Sequence, residues 1–144
     1  MSRISPHITL AEATKSQTAL RLGISNQPGP DIIKSMELVA YQIFEPLRAW
    51  HGKPIGISSF YRSPELNKAV GGSKSSQHMK GQAIDIDADI FDNGLTNRQI
   101  YLWIIRNLDF DQLIWEYGDE QNPAWVHVSY VSKEKNRHQI LQIP

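Results

Sequence analysis

The sequence predicts an α+β fold, a small antiparallel sheet with helices packed mainly on one side. Three observations carry that reading. Apolar residues recur at helical spacing in the first half, as Ile32, Met36, Val39, Ile43 and Leu47. Strict alternation marks "AIDID" at 83–87 and "WVHVS" at 125–129. The last third holds two strand-like runs, "FDQLIWEYG" and "AWVHVSYV", joined by the polar loop "DEQNP" as in an antiparallel hairpin. Helices early and hairpin strands late are the α+β order.

Each element has its own warrant. In "HITLAEATKS", Thr9 can cap the free N–H groups of a helix and Glu12 can bond back, so one or two short helices follow and stop near Gly23. Two prolines and a glycine make "NQPGPD" a loop. The helix from Asp31 onward is the strongest, with Pro46 kinking or tightening its last turn and Gly52 after it. "PIGISSF" reads as a short strand. Ser63 and Pro64 then fit the cap and first turn of a helix through "ELNKAV", ended by Gly71 and Gly72. Thr96, after the turn "FDNGLT", caps a helix through Ile100, Trp103, Ile104 and Leu108, and "HQILQI" adds an edge strand.

The 144 residues suit one domain spanning 1–144. Lys plus Arg and Asp plus Glu are both 15, and zero net charge with no basic stripe argues against a nucleic-acid partner and a metal-dependent nuclease. Without cysteine, thiolate zinc sites and cysteine nucleophiles are excluded. No apolar run has the length of a membrane span, so no membrane partner is expected. No secretory signal is visible either; the expectation is a monomer made in the cytoplasm, with any role outside it needing another exit route.

The chemistry concentrates in "KSSQHMKGQAIDIDAD" at 74–89. His78 sits on a glycine-containing turn, and alternation puts Asp85 and Asp87 on one face of the following strand. His127 lies on the open face of "WVHVS". Two imidazoles and one carboxylate are a donor set for an open, hydrolytic zinc site. Periodicity alone leaves Asp85 and Asp87 as equal candidates. Such a site also needs a group to take a proton from the attacking water, and Glu116, on the strand expected to pair with that of His127, is the leading candidate. Taken singly, each histidine fits a hydrogen-bonded structural role, and Glu116 fits a surface ion pair. Together with the aspartate strand they fit a site. His7, His51 and His138 read as surface residues.

The run "SSFYRSPELNKAVGGSKSSQHMKGQAIDID", followed by "WVHVS", resembles the zinc D-Ala-D-Ala carboxypeptidase family, which includes bacteriophage L-Ala-D-Glu endolysins and vancomycin-resistance dipeptidases and is related to the hedgehog fold. Ser76, His78, Gly81, Ala83 and Asp85 match its Ser-x-His-x-x-Gly-x-Ala-x-Asp pattern. The resemblance implies Zn2+ held by His78, Asp85 and His127, which selects Asp85 over Asp87. It implies that Arg62 holds the scissile carbonyl or its oxyanion, and that Ser76 hydrogen-bonds substrate, although a turn-capping role explains Ser76 almost as well. The implied substrates are peptidoglycan peptides, with action at the cell wall after release. One departure stands out: several relatives carry the catalytic acid three residues before the last histidine, where this chain has Ala124. Glu116 therefore remains the choice for that role, with Asp119 and Glu120 of the hairpin loop as runners-up. A zinc-stabilised cell-wall binding module without turnover is the rival reading.

Overall fold

A computed structural model describes residues 2–144. The chain opens with a hairpin that alternation did not reveal, β1 (Arg3–Ser5) against β2 (Ile8–Thr9). Strands this short carry too few residues for a period to be read. Helix α1 (Leu10–Thr14) starts at the capping box of Thr9 and Glu12, and α2 (Gln17–Leu22) ends at Gly23 in the left-handed conformation.

The strongest helical pattern is one continuous rod in three parts. It comprises α3 (Pro30–Val39), a π-helical turn (Ala40–Phe44) and α4 (Glu45–His51). Before Pro46 the rod widens rather than tightens. Proline has no N–H to donate to the carbonyl four residues back, and the preceding turn widens, with the Glu45 N–H donating to the Ala40 carbonyl instead. Met36, Val39, Ile43, Phe44 and Leu47 still fall on the buried side of the rod.

Next come β3 (Gly56–Ser59), α5 (Pro64–Ala69) capped by Ser63, a 3-10 turn (Gln77–Lys80) and β4 (Ala83–Asp87). A short 3-10 turn at Ala88–Ile90 leads to α6 (Asn97–Asn107), which carries a second capping box from Thr96 and Gln99. Strands β5 (Gln112–Glu116), β6 (Trp125–Ser129) and β7 (Gln139–Ile143) close the fold.

The main sheet is larger than expected and not wholly antiparallel. Five strands run in the order β3-β4-β6-β5-β7, and β7 pairs parallel to β5. The reason lies in the connection. After β6 the chain crosses beyond Asp111 before turning into β7, so it enters the edge in the same direction as β5. Alternation sorts the two faces. Ile84, Ile86, Leu113, Val126 and Val128 are buried against the rod and α6, whose own Ile100 and Ile104 are fully buried. Each such side chain withdrawn from water contributes about 1.5–3 kcal/mol. Asp85, Ile114, Glu116, Trp125 and His127 occupy the opposite face, where they line a cleft.

Candidate metal centre and active site

The turn that carries His78 is set by the residues around it. The Ser76 hydroxyl accepts from the His78 N–H at 3.2 Å and starts the turn. Gly81 ends it at φ +68°, a conformation that strains any residue with a Cβ. A Cβ there would also lie 2.7 Å from Met36 Cγ and 2.8 Å from the Ile32 carbonyl, so the glycine lets the turn press against α3. The His78 ring is buried, and its Nδ1–H donates to the Phe60 carbonyl at 2.6 Å. That bond makes Nδ1 the donor and turns Nε2 toward Asp85, 3.3 Å from Oδ2.

The sheet supplies the other two groups. Asp85 and His127 are directly opposite in the β4–β6 ladder, where side chains of one face meet. His127 Nδ1 lies 3.0 Å from Asp85 Oδ1, and the two imidazoles stand edge to face with centroids 5.2 Å apart. Donor atoms of His78, Asp85 and His127 all fall within 4.8 Å of one another. Burial would raise the Asp85 carboxyl, but the His78 ring charge and hydrogen bonds from both imidazoles outweigh it and hold the group well below the usual carboxylate range. Burial alone would lower the His127 imidazole; the Asp85 hydrogen bond and charge raise it instead. This donor set fits zinc: two imidazole nitrogens and a carboxylate oxygen, one ring locked from behind by a backbone carbonyl.

These three residues lie in a cleft of about 750 Å³ that is also lined by Arg62, Ser76, Glu116, Trp125 and Arg137. Glu116 stands on β5 opposite Trp125, two residues from Ile114, which pairs with His127. The Trp125 indole N–H donates to one Glu116 oxygen and leaves the other for a proton. Burial, then the Asp85 charge, pushes the Glu116 carboxyl above its ordinary value. Arg62 Nη2 donates to the Ser76 hydroxyl at 3.4 Å, whereas its buried Nε has no partner among the described residues. Arg62 forms no ion pair among the described residues. Ser76 does cap its turn, and its hydroxyl also meets Arg62.

The other acids are placed elsewhere. Asp119 and Glu120 do not line the cleft; Asp119 Oδ1 accepts from the Gln121 and Asn122 N–H groups and shapes the hairpin loop. Asp87 accepts from Asn97 and from the Asp89 N–H. The remaining histidines have partners that their sequence neighbours did not suggest. His7 pairs with Glu45 at 2.6 Å, His51 meets Asn93 at 2.8 Å, and His138 stacks on Phe110. None of the three lines the cleft.

Sequence reasoning missed one cluster on the cleft wall. Asp111, 1% exposed, binds Arg137 side-on through Nε at 2.9 Å and Nη2 at 2.7 Å, and also accepts from Gln77 Nε2 at 2.9 Å. These bonds, Arg137 foremost, hold the Asp111 carboxyl down to about 2. No local motif signals a contact between residues 77, 111 and 137; the only cue is a carboxylate just before a strand start.

Comparison with known proteins agrees with the geometry. A search of curated proteins finds no match. A family model described as Peptidase M15 matches residues 6–129, a span that begins in the first hairpin and ends with β6, the strand of His127. The turn and the strand pair thus lie inside the matched region, and the chain belongs to the Peptidase M15 family of zinc D-Ala-D-Ala carboxypeptidases, which makes it a metallopeptidase.

Proposed function

We propose that this protein is a zinc-dependent peptidase that hydrolyses a peptide bond in peptidoglycan stem peptides, of the D-Ala-D-Ala carboxypeptidase or L-Ala-D-Glu endopeptidase type. The observation that carries the reading is the convergence of His78, Asp85 and His127 within 4.8 Å at the floor of a cleft that Glu116 and Arg62 share. His78, Asp85 and His127 are the ligands. Zinc held there supplies Lewis acidity, polarising a carbonyl and acidifying water.

The chain's own residues do the rest. Glu116 takes a proton from the attacking water on its free oxygen and passes it to the leaving amine. Its raised carboxyl is suited to both halves of that exchange, and the Trp125 indole keeps it oriented. Arg62, held by Ser76 and with no carboxylate to neutralise it among the described residues, stabilises the charge that grows on the scissile carbonyl oxygen.

The rival, a zinc-stabilised cell-wall binding module, draws its support from Ala124 standing where relatives carry an acid. Glu116→Gln separates the two. The enzyme reading expects hydrolysis of purified peptidoglycan, followed by product masses, to fall about 10²–10⁴-fold while bound zinc stays at one per chain. Unchanged hydrolysis would remove Glu116 from the mechanism. Absence of any chelator-sensitive hydrolysis by the wild type would favour the binding module.

A further inference from the structure

We propose that Arg137 is a specificity-determining residue that binds a carboxylate of the peptide substrate; the proposal rests on the peptidase reading of the cleft. Arg137 lies beyond residues 6–129, the span that the family model matches. The side chain is 55% exposed, yet its guanidinium is fixed side-on to the buried Asp111. Two of its five N–H donors are used there, and three remain for a ligand in the cleft that it lines.

The backbone does not need this guanidinium to dock the segment. The Arg137 N–H already donates to Asp111 Oδ1 at 2.9 Å, the Gln139 N–H to the Asp111 carbonyl at 2.9 Å and the His138 N–H to the Phe110 carbonyl at 3.1 Å. What the side-on pair adds is a planar fork held rigid before a ligand arrives, the geometry that suits a carboxylate. Asp111 neutralises one cation; Lys80 supplies another. It is exposed, lines the same cleft and makes no ion pair among the described residues. In a 3-10 turn, residues three apart eclipse, so Lys80 stands on the same side as Gln77, which is itself bonded to Asp111.

The site sits at the end of β5 away from Glu116. Asp111 precedes Ile114, the partner of His127, by three residues, about 10 Å along a strand. A carboxylate gripped there is two or three residues from the bond being cut, by the roughly 3.5 Å span of an extended residue. It is either the chain terminus or a glutamate carboxylate within the stem.

Three synthetic stem pentapeptides distinguish these sources: one with all carboxylates free, one amidated at its C-terminus, and one with the D-glutamate carboxylate amidated. With the first, Arg137→Gln is expected to raise KM about 10–100-fold, the range for a lost hydrogen bond to a charged group, with kcat within about threefold. The penalty should vanish on the peptide whose recognised carboxylate is amidated, and Arg137→Lys should recover part of the loss. An equal penalty on all three peptides, or none on any, overturns the proposal. If Arg137→Gln fails to fold, the wild type decides alone: equal KM for the three peptides overturns the proposal, and a clear preference supports it. If the wild type hydrolyses none of them, the peptidase reading falls, and calorimetric binding of the same peptides replaces KM. Binding that is absent, or indifferent to amidation, then overturns the carboxylate site as well.

Discussion

The centre of the main sheet and its β5–β7 edge are built by different means. At the centre, β4 and β6 place Asp85 and His127 opposite each other, and a glycine-terminated turn adds His78. Every element there is set by local pattern: period-two alternation, a serine cap, a glycine that no other residue replaces. At the edge, β7 lies parallel to β5 and is tied to it by Asp111, a single buried carboxylate reached from residues 77 and 137. The centre is redundant and ordered by short-range rules. The edge adds one long-range polar node to its backbone ladder.

The largest expected effect breaks the centre. Asp85→Ala removes the carboxylate that both imidazoles face. Bound zinc, measured by atomic spectroscopy after dialysis, should fall from one per chain to near zero. Hydrolysis should drop by about 10³-fold or more, as expected when the Lewis acid is lost. A variant that kept stoichiometric zinc would place the metal elsewhere. Asp87→Ala, on the same strand but bonded to Asn97 instead, should retain the metal and thereby sharpen the distinction that alternation leaves open.

A second change tests whether the centre depends on its turn. Gly81→Ala forces a Cβ into a left-handed conformation and against Met36 and the Ile32 carbonyl. Left-handed strain of about 1–2 kcal/mol and overpacking of about 1–3 kcal/mol together predict a loss of about 2–5 kcal/mol in urea unfolding. Zinc affinity should fall with it, because the turn holds His78 against the Phe60 carbonyl. Full stability in this variant would mean that α3 yields easily, and that the turn is less constrained than its geometry implies.

The same contrast explains what was legible in the sequence. His78, Asp85, His127 and Glu116 could be nominated because histidines and acids on one face of a strand stand out against an apolar alternation. The faces were readable, yet the choice of Asp85 over Asp87 needed a family pattern, since both share a face. The capping boxes at Thr9 and Thr96 were equally local and equally visible. The rest depended on tertiary partners. Whether "HQILQI" runs parallel or antiparallel to β5 is decided by the path of the chain after β6, not by its own residues. Arg137 and Asp111 are 26 positions apart and look like any surface cation and turn acid until the edge strand docks. The π-helical turn before Pro46 escaped notice because it leaves the apolar spacing nearly intact.

The smallest effect probes the edge. Asp111→Ala leaves Gln77 and Arg137 without their acceptor and should cost about 2 kcal/mol at pH 7, the range for hydrogen bonds to a charged group. The cost should depend on pH in a definite direction. Arg137 holds the Asp111 carboxyl at about 2 in the folded chain, below its value near 3.9 when unfolded. A depressed carboxyl stabilises the fold fully above its unfolded value, and that stabilisation is lost as the pH falls through the folded one. The stability gap between wild type and Asp111→Ala, from urea unfolding, should therefore stay constant from pH 7 to about 5, narrow below about 4 and largely close near 2. Because every other carboxylate titrates in both proteins, the difference isolates this one. A gap that persisted undiminished at pH 2.5 would show that the edge is held by packing rather than by the ion pair, and the rigid guanidinium on the cleft wall would lose its anchor.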